Sequence, residues 1–136
     1  MSDNEVRPKS VLVVDDDTFL LNMYSLKFKN QGIETSSIQN GKQVLDKLRN
    51  KEISPDVILL DIIMPDINGL EILEKMREEN LADNTVIIML TNQGNQHDID
   101  KAKELGVAGY IVKATTIPSE VVSEVMEIFK DNKSKN

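Results

Sequence analysis

Short apolar runs alternate with stretches of helical periodicity along this chain. Four runs are almost free of polar residues and occupy positions 11–14, 57–60, 86–90 and 110–112. A fifth run, at 33–38, is half polar but rich in β-prone residues. A short continuous apolar run is typical of a strand buried on both faces, whereas a half-polar strand fits the edge of a sheet. Apolar residues three and four positions apart follow each run and predict amphipathic helices.

Residues that cap or break helices bound the helical stretches. The sequence predicts helices that begin at Asp17 or Thr18 and end at Gly32, extend over 40–51, extend from 70 to about 80, contain 99–105 before Gly106, and open at Pro118. Strand and helix therefore alternate five times, which with right-handed crossovers gives an α/β fold with helices on both faces of a parallel sheet. Because the polar second strand belongs at an edge, we predict the flavodoxin-like, doubly wound fold with strand order 2-1-3-4-5.

The chain has 136 residues, enough for one domain with a normal core. Residues 1–9 show no periodicity and predict a flexible N-terminal tail, residues 10–132 form the predicted domain, and residues 133–136 predict a frayed C-terminal tail.

Charge and composition exclude several functional classes. A net charge of −7 argues against direct binding of nucleic acid, and the absence of cysteine excludes disulfides and thiolate chemistry. No apolar run approaches the roughly 20 residues of a membrane span, and the polar, acidic N-terminus is unlike a signal sequence. We therefore expect no membrane contact and a cytoplasmic location.

Polar side chains stand at the ends of four predicted strands: Asp15 and Asp16, Asp61, Thr91, and Lys113. These ends share one rim of a parallel sheet, where ligands bind in such folds. Crowded carboxylates repel unless a cation joins them, and oxygen ligands without cysteine or clustered histidine suit Mg²⁺. A metal, an ammonium group and a hydroxyl around a carboxylate match the spread charge of a transferring phosphoryl group. We therefore predict that Asp61 is phosphorylated.

The same residues resemble the motifs of a response-regulator receiver domain. The resemblance runs from about Ser10 to Lys130 and rests on five segments in order: Val13–Asp16, Leu59–Pro65, Asn68–Gly69, Met89–Thr91 and Gly109–Lys113. It implies a phospho-accepting signalling domain, not an enzyme, within a two-component phosphorelay. A histidine kinase, a phosphotransfer protein or a small phosphodonor would phosphorylate Asp61.

The resemblance also implies a role for each site residue. Asp15 and Asp16 would hold Mg²⁺ together with Asp61 and the main-chain carbonyl of Ile63, and Lys113 would pair with the phosphoryl oxygens. Thr91 would bond those oxygens and Tyr110 would follow inward, although Tyr110 alone is equally explained as a packed aromatic. The repacking would alter the surface of the fourth helix, fifth strand and fifth helix for an output partner, with the chain a monomer or a phosphorylation-dependent dimer.

The chain departs from the usual receiver pattern near the site. Ala114 follows Lys113 where the family usually has a proline after a cis bond, and a cis bond before a non-proline residue costs roughly 3 kcal/mol. Ile63 and Gln93 occupy the positions that flank an attacking water. Because Ile63 cannot orient water, we predict slow loss of phosphate.

Two other functions fit part of the pattern. A haloacid-dehalogenase-type phosphatase also combines an aspartate nucleophile with lysine and Mg²⁺, and Asp15-x-Asp17 resembles the start of its motif. Phe19 stands where that motif needs threonine or valine, an acidic pair after Lys113 is missing, and no room is left for a substrate cap. A receiver that binds partners without being phosphorylated stays open, because Asn92 and Ala114 are atypical.

Overall fold

The computed structural model describes residues 6–92 and 95–134. Within these ranges, strands and α-helices alternate in the order β1 Ser10–Val14, α1 Thr18–Asn30, β2 Glu34–Ile38, α2 Gly41–Arg49, β3 Val57–Asp61, α3 Gly69–Glu78, β4 Val86–Thr91, α4 Gln96–Glu104, β5 Gly109–Val112 and α5 Pro118–Ser134. A single 3₁₀ turn, Lys113–Thr115, connects β5 to α5.

The strands form one parallel sheet in the order β2-β1-β3-β4-β5, as the sequence predicts. All residues of β3 and β4 are buried, whereas most of the edge strand β2 is exposed. The polar residues of β2 thus face water, and the apolar runs form the centre of the sheet. The flavodoxin-like α/β fold is confirmed.

Alternation along the strands divides the core into two layers. Val57 and Leu59 of β3 pack with α1 and α5, on what we call the α1/α5 face. Ile58 and Leu60 pack on the opposite face with α2, α3 and α4, the α2–α4 face. The same alternation directs Asp61, at the end of β3, towards the α1/α5 face.

Polar caps fix where the helices begin. The side chain of Asp17 accepts a hydrogen bond from the backbone N–H of Leu20 at 3.1 Å and so starts α1. Asparagines cap the next three helices in the same manner: Asn40 for α2, Asn68 for α3 and Asn95 for α4. The caps place the starts of these helices at the rim where the strands end.

Some boundaries differ from the sequence predictions. Helix α2 ends at Arg49, before the predicted residue 51, and α3 ends at Glu78 and not near residue 80. Lys51 and Asn80 have φ values of 58° and 55°, and this left-handed conformation cannot continue a helix. Helix α5 extends to Ser134, two residues into the predicted C-terminal tail.

The part of the predicted N-terminal tail that the structure describes contacts the domain. Pro8 is buried, and the guanidinium of Arg7 donates to the carbonyl of Gln31. The backbone N–H of Lys9 donates to Oδ2 of Asp56 at 2.7 Å. Residues 1–5 of that tail lie outside the described residues. Across 6–92 and 95–134, none of the helices has the length and apolar character needed to cross a bilayer.

Candidate functional site

An ion-pair cluster lies where β1, β3 and β5 end. The ammonium of Lys113 is 2.8 Å from Oδ2 of Asp15 and 3.2 Å from Oδ2 of Asp61. All three side chains are buried, with 7% of the Lys113 side chain exposed, none of Asp15 and 3% of Asp61. The structure thus brings together three of the residues predicted to form the site, from positions far apart in sequence.

Asp16 completes a set of three carboxylates. One carboxylate oxygen from each of Asp15, Asp16 and Asp61 lies within 4.8 Å of the others, and Asp16 faces solvent. Oδ1 of Asp61 is buried and has no hydrogen-bond partner among the described residues. A hard divalent cation binds carboxylate oxygens and keeps several waters, so a buried unpaired oxygen beside an exposed carboxylate fits such an ion.

The cluster holds less positive charge than its carboxylates require. Burial raises the pKa of Asp61 to about 7; the Lys113 ammonium opposes the rise, and the charge of Asp15 adds to it. Burial lowers the pKa of Lys113, but hydrogen bonding and the charges of Asp15 and Asp61 outweigh burial, so the net shift is upward. One ammonium therefore faces two buried carboxylates, and a divalent cation would supply the missing charge.

The loop after Asp61 turns tightly because of Gly69. The backbone N–H of Gly69 donates to the carbonyl of Ile62 at 2.7 Å, and a Cβ at this position would collide with the carbonyl oxygen of Asp61. Only glycine allows this approach, which places the start of α3 directly behind the end of β3. Met64 is buried in the same loop and anchors it to the core.

Asp66 ties the same loop to the start of α2. Its two carboxylate oxygens accept from the backbone N–H groups of Gly41, at 3.3 Å, and Lys42, at 3.0 Å. Burial raises the pKa of Asp66, but the backbone donors outweigh this effect and the net shift is downward. This contact is not predictable from the sequence, because nothing in the residue pattern shows that the loop after Asp61 passes α2.

Thr91 ends β4, and Tyr110 lies in the neighbouring strand β5. Thr91 is buried, and its place at the end of a strand next to β3 puts it at the same rim as Asp61. Tyr110 is 39% exposed, and its ring lies 5.9 Å from the ammonium of Lys103 on α4. Tyr110 thus stands outward, away from the carboxylates.

Further sequence predictions concern the loop after Asp61, Gln93 and the peptide bond after Lys113. Ile63 is 65% exposed in the loop after Asp61, so an apolar side chain stands beside the cluster. Gln93 lies outside the described residues. The peptide bond between Lys113 and Ala114 is trans, and Lys113 starts the 3₁₀ turn that leads towards α5.

Tyr24 of α1 is a further polar residue near the cluster. Helical spacing predicts it only as a core position, and it is buried in the α1/α5 layer. Burial raises the pKa of its phenol; Lys113 lowers it, while Asp15, Asp61 and Asp17 raise it further. The phenol therefore lies within the electric field of the cluster. The sequence gives one indication of this placement: a tyrosine stands on a buried helix face where an aliphatic residue would serve for packing.

The family model of the response regulator receiver domain matches residues 11–125. The DNA-binding response regulator MtrA of Mycobacterium tuberculosis is 35% identical over 122 residues, covering 90% of this chain and 51% of MtrA. The polar-differentiation response regulator DivK of Brucella anthropi is 30% identical over 111 residues, covering 82% of this chain and 89% of DivK. The chain thus spans about half the length of the mycobacterial relatives that it matches.

Solved receiver structures share the fold. A CheY-like response regulator receiver domain protein from Methanospirillum hungatei superposes with a TM-score of 0.81 at 25% identity, covering 94% of this chain and 98% of that one. The BeF3-activated receiver domain of DrrB, a protein of Thermotoga maritima, gives a TM-score of 0.73 at 28% identity, covering 90% of this chain and 97% of that domain.

Proposed function

This chain belongs to the response-regulator receiver family of phospho-accepting signalling domains, and we propose that Asp61 is the residue that accepts its phosphoryl group. The observation that carries this proposal is the ammonium of Lys113 between the buried carboxylates of Asp15 and Asp61, at 2.8 and 3.2 Å. Asp61 stands at the end of the central strand β3, at the rim where ligands bind in open parallel sheets.

The transfer is an in-line displacement at phosphorus. A carboxylate oxygen of Asp61 forms the new O–P bond while the P–N bond of a donor phosphohistidine breaks, and the electron pair of that bond stays on the donor imidazole. The three equatorial oxygens of the phosphoryl group carry negative charge throughout the transfer. In a buried site this negative charge must be balanced by positive charge. Lys113 supplies it by moving from the Asp61 carboxylate to the incoming oxygens, and the hydroxyl of Thr91 bonds another of them.

We propose Mg²⁺ as the metal of this site. Asp15, Asp16 and Asp61 would hold it, with the main-chain carbonyl of Ile63 as a further ligand; the fit rests on their shared oxygen ligands and on the unpaired Oδ1 of Asp61. The ion would offset the negative charge of carboxylates and phosphoryl oxygens that one lysine leaves uncompensated.

The output surface that we propose is formed by α4, β5 and α5. Tyr110 lies in β5 and now faces outward beside α4. Its movement inward after Thr91 engages the phosphoryl group would change that surface for a partner protein. The phosphodonor would be a histidine kinase or a phosphotransfer protein in the cytoplasm. MtrA is named as a DNA-binding regulator, but a charge of −7 favours protein over nucleic-acid contacts here.

Intact mass spectrometry after incubation with Mg²⁺ and acetyl phosphate tests the proposal. We expect one phosphoryl adduct that hydroxylamine removes, as is typical of an acyl phosphate. The adduct is absent from Asp61→Asn and present in Asp56→Asn. Asp56 precedes the same strand at its opposite end, where it bonds Lys9, and so serves as the matched control.

An adduct that persists in Asp61→Asn would move the acceptor to another residue. If no adduct forms on the parent with either acetyl phosphate or a phosphorylated donor protein, the chain acts as a binding module independent of phosphorylation, and the proposal is wrong.

A further inference from the structure

The loop of residues 62–68 joins β3 to α3 and contains the main-chain carbonyl of Ile63, which we propose as a metal ligand. The bond from the N–H of Gly69 to the carbonyl of Ile62, at 2.7 Å, closes this loop at its base, and Met64 is buried within it. The side chain of Ile63 is 65% exposed and does not anchor its own backbone. The position of the Ile63 carbonyl therefore depends on contacts made by other residues of the loop.

Asp66 connects the loop to α2. Its carboxylate oxygens accept hydrogen bonds from the backbone N–H groups of Gly41, at 3.3 Å, and of Lys42, at 3.0 Å. These two residues begin α2, and the first N–H groups of a helix have no carbonyl partner within it. The positive end of the helix dipole also favours a carboxylate at this place. One side chain of the loop thus binds two donors of a neighbouring helix.

The bonds from Asp66 are additional to the local cap of α2. Asn40 already caps this helix by accepting from the N–H of Gln43 at 3.1 Å. A single asparagine cap of the same kind starts α3 at Asn68 and α4 at Asn95. The bonds to Asp66 span 25 and 24 positions of the chain. What they add to α2 is a connection to the loop that follows the phosphoacceptor.

The first residue of α2 leaves room for this loop. A Cβ at Gly41 would collide with the side chains of Ile67 and Ile72 and would lie 3.2 Å from the carbonyl oxygen of Ile67. A side chain at position 41 would therefore push the loop away from the helix. Helix α2 is itself a firm support, because three of its aliphatic side chains are buried in the core of the α2–α4 face: Val44, Leu45 and Leu48.

We propose that Asp66 is a positioning residue of the metal site: its two bonds to the start of α2 hold the loop that contributes the Ile63 carbonyl, so that binding an ion does not require ordering this loop. The inference rests on the proposed function and its metal, and it goes beyond them by assigning a role to a carboxylate outside the cluster of Asp15, Asp16 and Asp61. Asp66 acts through the backbone of the loop and does not touch the reacting atoms.

The variant Asp66→Ala removes both acceptors. Isothermal titration calorimetry of the unphosphorylated domain with Mg²⁺ should show binding roughly three- to tenfold weaker than that of the parent, because the ion then has to order the loop as it binds. The rate of phosphorylation by acetyl phosphate should fall at limiting Mg²⁺ and approach the parent rate at saturating Mg²⁺. A residue that only stabilises the fold would lower the melting temperature without changing the affinity for the ion.

Two control variants separate the loop contact from its side effects. Asn40→Ala removes the local cap of the same helix and leaves the bonds to Asp66, so it should destabilise the domain yet bind Mg²⁺ as the parent does. Glu71→Gln removes an exposed charge from the first turn of α3, at the same rim. It should also keep the parent affinity at about 0.15 M ionic strength, at which exposed charges are screened beyond roughly 8 Å.

Asp66→Asn keeps the shape of the side chain and one acceptor oxygen, and it should lose part of the affinity. This variant decides the question if Asp66→Ala does not fold. An affinity for Mg²⁺ equal to that of the parent in the Asp66 variants, or an equal loss in Asn40→Ala or Glu71→Gln, overturns the inference and leaves the proposed function intact. A parent that neither binds Mg²⁺ nor accepts phosphate overturns both.

Discussion

Lys113 and Asp61 are separated by 52 positions in the sequence, and their Nζ and Oδ2 atoms lie 3.2 Å apart. Strand β4 lies between β3 and β5, so the side chain of Lys113 passes the end of β4 to reach Asp61 and continues to Asp15 beyond. A single buried cation thereby joins three strand ends. The stability of the metal-free domain and the chemistry of the site both depend on this ammonium.

Replacing Lys113 by methionine keeps most of the side-chain volume and removes the charge. Two buried carboxylates then lack their cation, and breaking a buried pair in this way costs about 3 kcal/mol. We expect Lys113→Met to lower the free energy of unfolding by that amount at pH 8 without metal, and to abolish phosphorylation. Urea unfolding and intact mass provide the two measurements.

Lys101→Met is the matched control, because Lys101 pairs with Glu74 at 3.4 Å on the surface. Exposed pairs contribute less than about 1 kcal/mol, so this variant should unfold almost as the parent does. Mg²⁺ should stabilise Lys113→Met more than it stabilises the parent, since it replaces the missing charge. Equal losses of stability in the two lysine variants would contradict the central role of Lys113.

The raised pKa of Asp61 predicts a pH-dependent gain of stability in Asp61→Asn. The carboxyl titrates near 3.8 when unfolded and at about 7 in the folded domain, so the folded state favours the protonated form. The stabilisation of the folded domain that depends on a neutral Asp61 carboxyl is fully present below pH 3.8 and is lost as the pH rises through 7. Without metal, we expect the free energy of unfolding of Asp61→Asn to match that of the parent near pH 4 and to exceed it by roughly 4 kcal/mol at pH 8, because each pKa unit of the shift corresponds to about 1.4 kcal/mol.

Thermal unfolding with a chelator at pH 4, 6 and 8 measures this difference. Mg²⁺ should reduce or reverse it at pH 8, because Asp61 binds the ion and asparagine carries no charge to do so. A constant difference between the variant and the parent at all three pH values would show that Asp61 is not held in a charge-deficient site.

The fold was predictable because continuous apolar runs in the sequence mark the strands that are buried on both faces. The polar run at 33–38 identified the edge strand, and a polar second strand at an edge favoured the flavodoxin-like order 2-1-3-4-5 that the structure shows. Helix ends were less predictable, since Lys51 and Asn80 adopt left-handed backbone conformations that nothing in these residue types requires.

The site was predictable as far as strand ends determine it. Asp15, Asp61 and Lys113 meet because parallel strands end at one rim, so their positions in sequence sufficed. Contacts that depend on loop paths were not accessible in this way. The bonds from Gly41 and Lys42 to Asp66 are of this kind.

Gly69→Ala should disturb the end of β3 directly. The added methyl group would collide with the carbonyl oxygen of Asp61, and neither backbone segment can move without shifting the start of α3. We expect a loss of about 2–3 kcal/mol in the free energy of unfolding and a slower phosphorylation of Asp61. Urea unfolding and the rate of adduct formation measure the two effects.

Gly32→Ala provides the control for a glycine substitution. Gly32 has a φ of 77°, and a Cβ there would meet no heavy atom within 4 Å. Its only penalty is the left-handed backbone, roughly 1 kcal/mol, with no effect on the rate. If Gly69→Ala is phosphorylated as fast as Gly32→Ala, the tight turn at Gly69 does not determine the geometry of Asp61.

Ile63→Asn should shorten the lifetime of the phosphorylated domain. Ile63 lies two positions after Asp61 and is 65% exposed, so it stands beside the site without any group that can orient water. An asparagine amide can hold a water in line with the phosphorus, and we expect loss of phosphate to be on the order of tenfold faster. The lifetime is measured by intact mass after the donor is removed.

Ile117→Asn is the matched control, because Ile117 is another exposed apolar residue, with 61% exposure; this variant should keep the parent lifetime. Equal lifetimes for Ile63→Asn and the parent would show that an orienting side chain at this position does not limit hydrolysis.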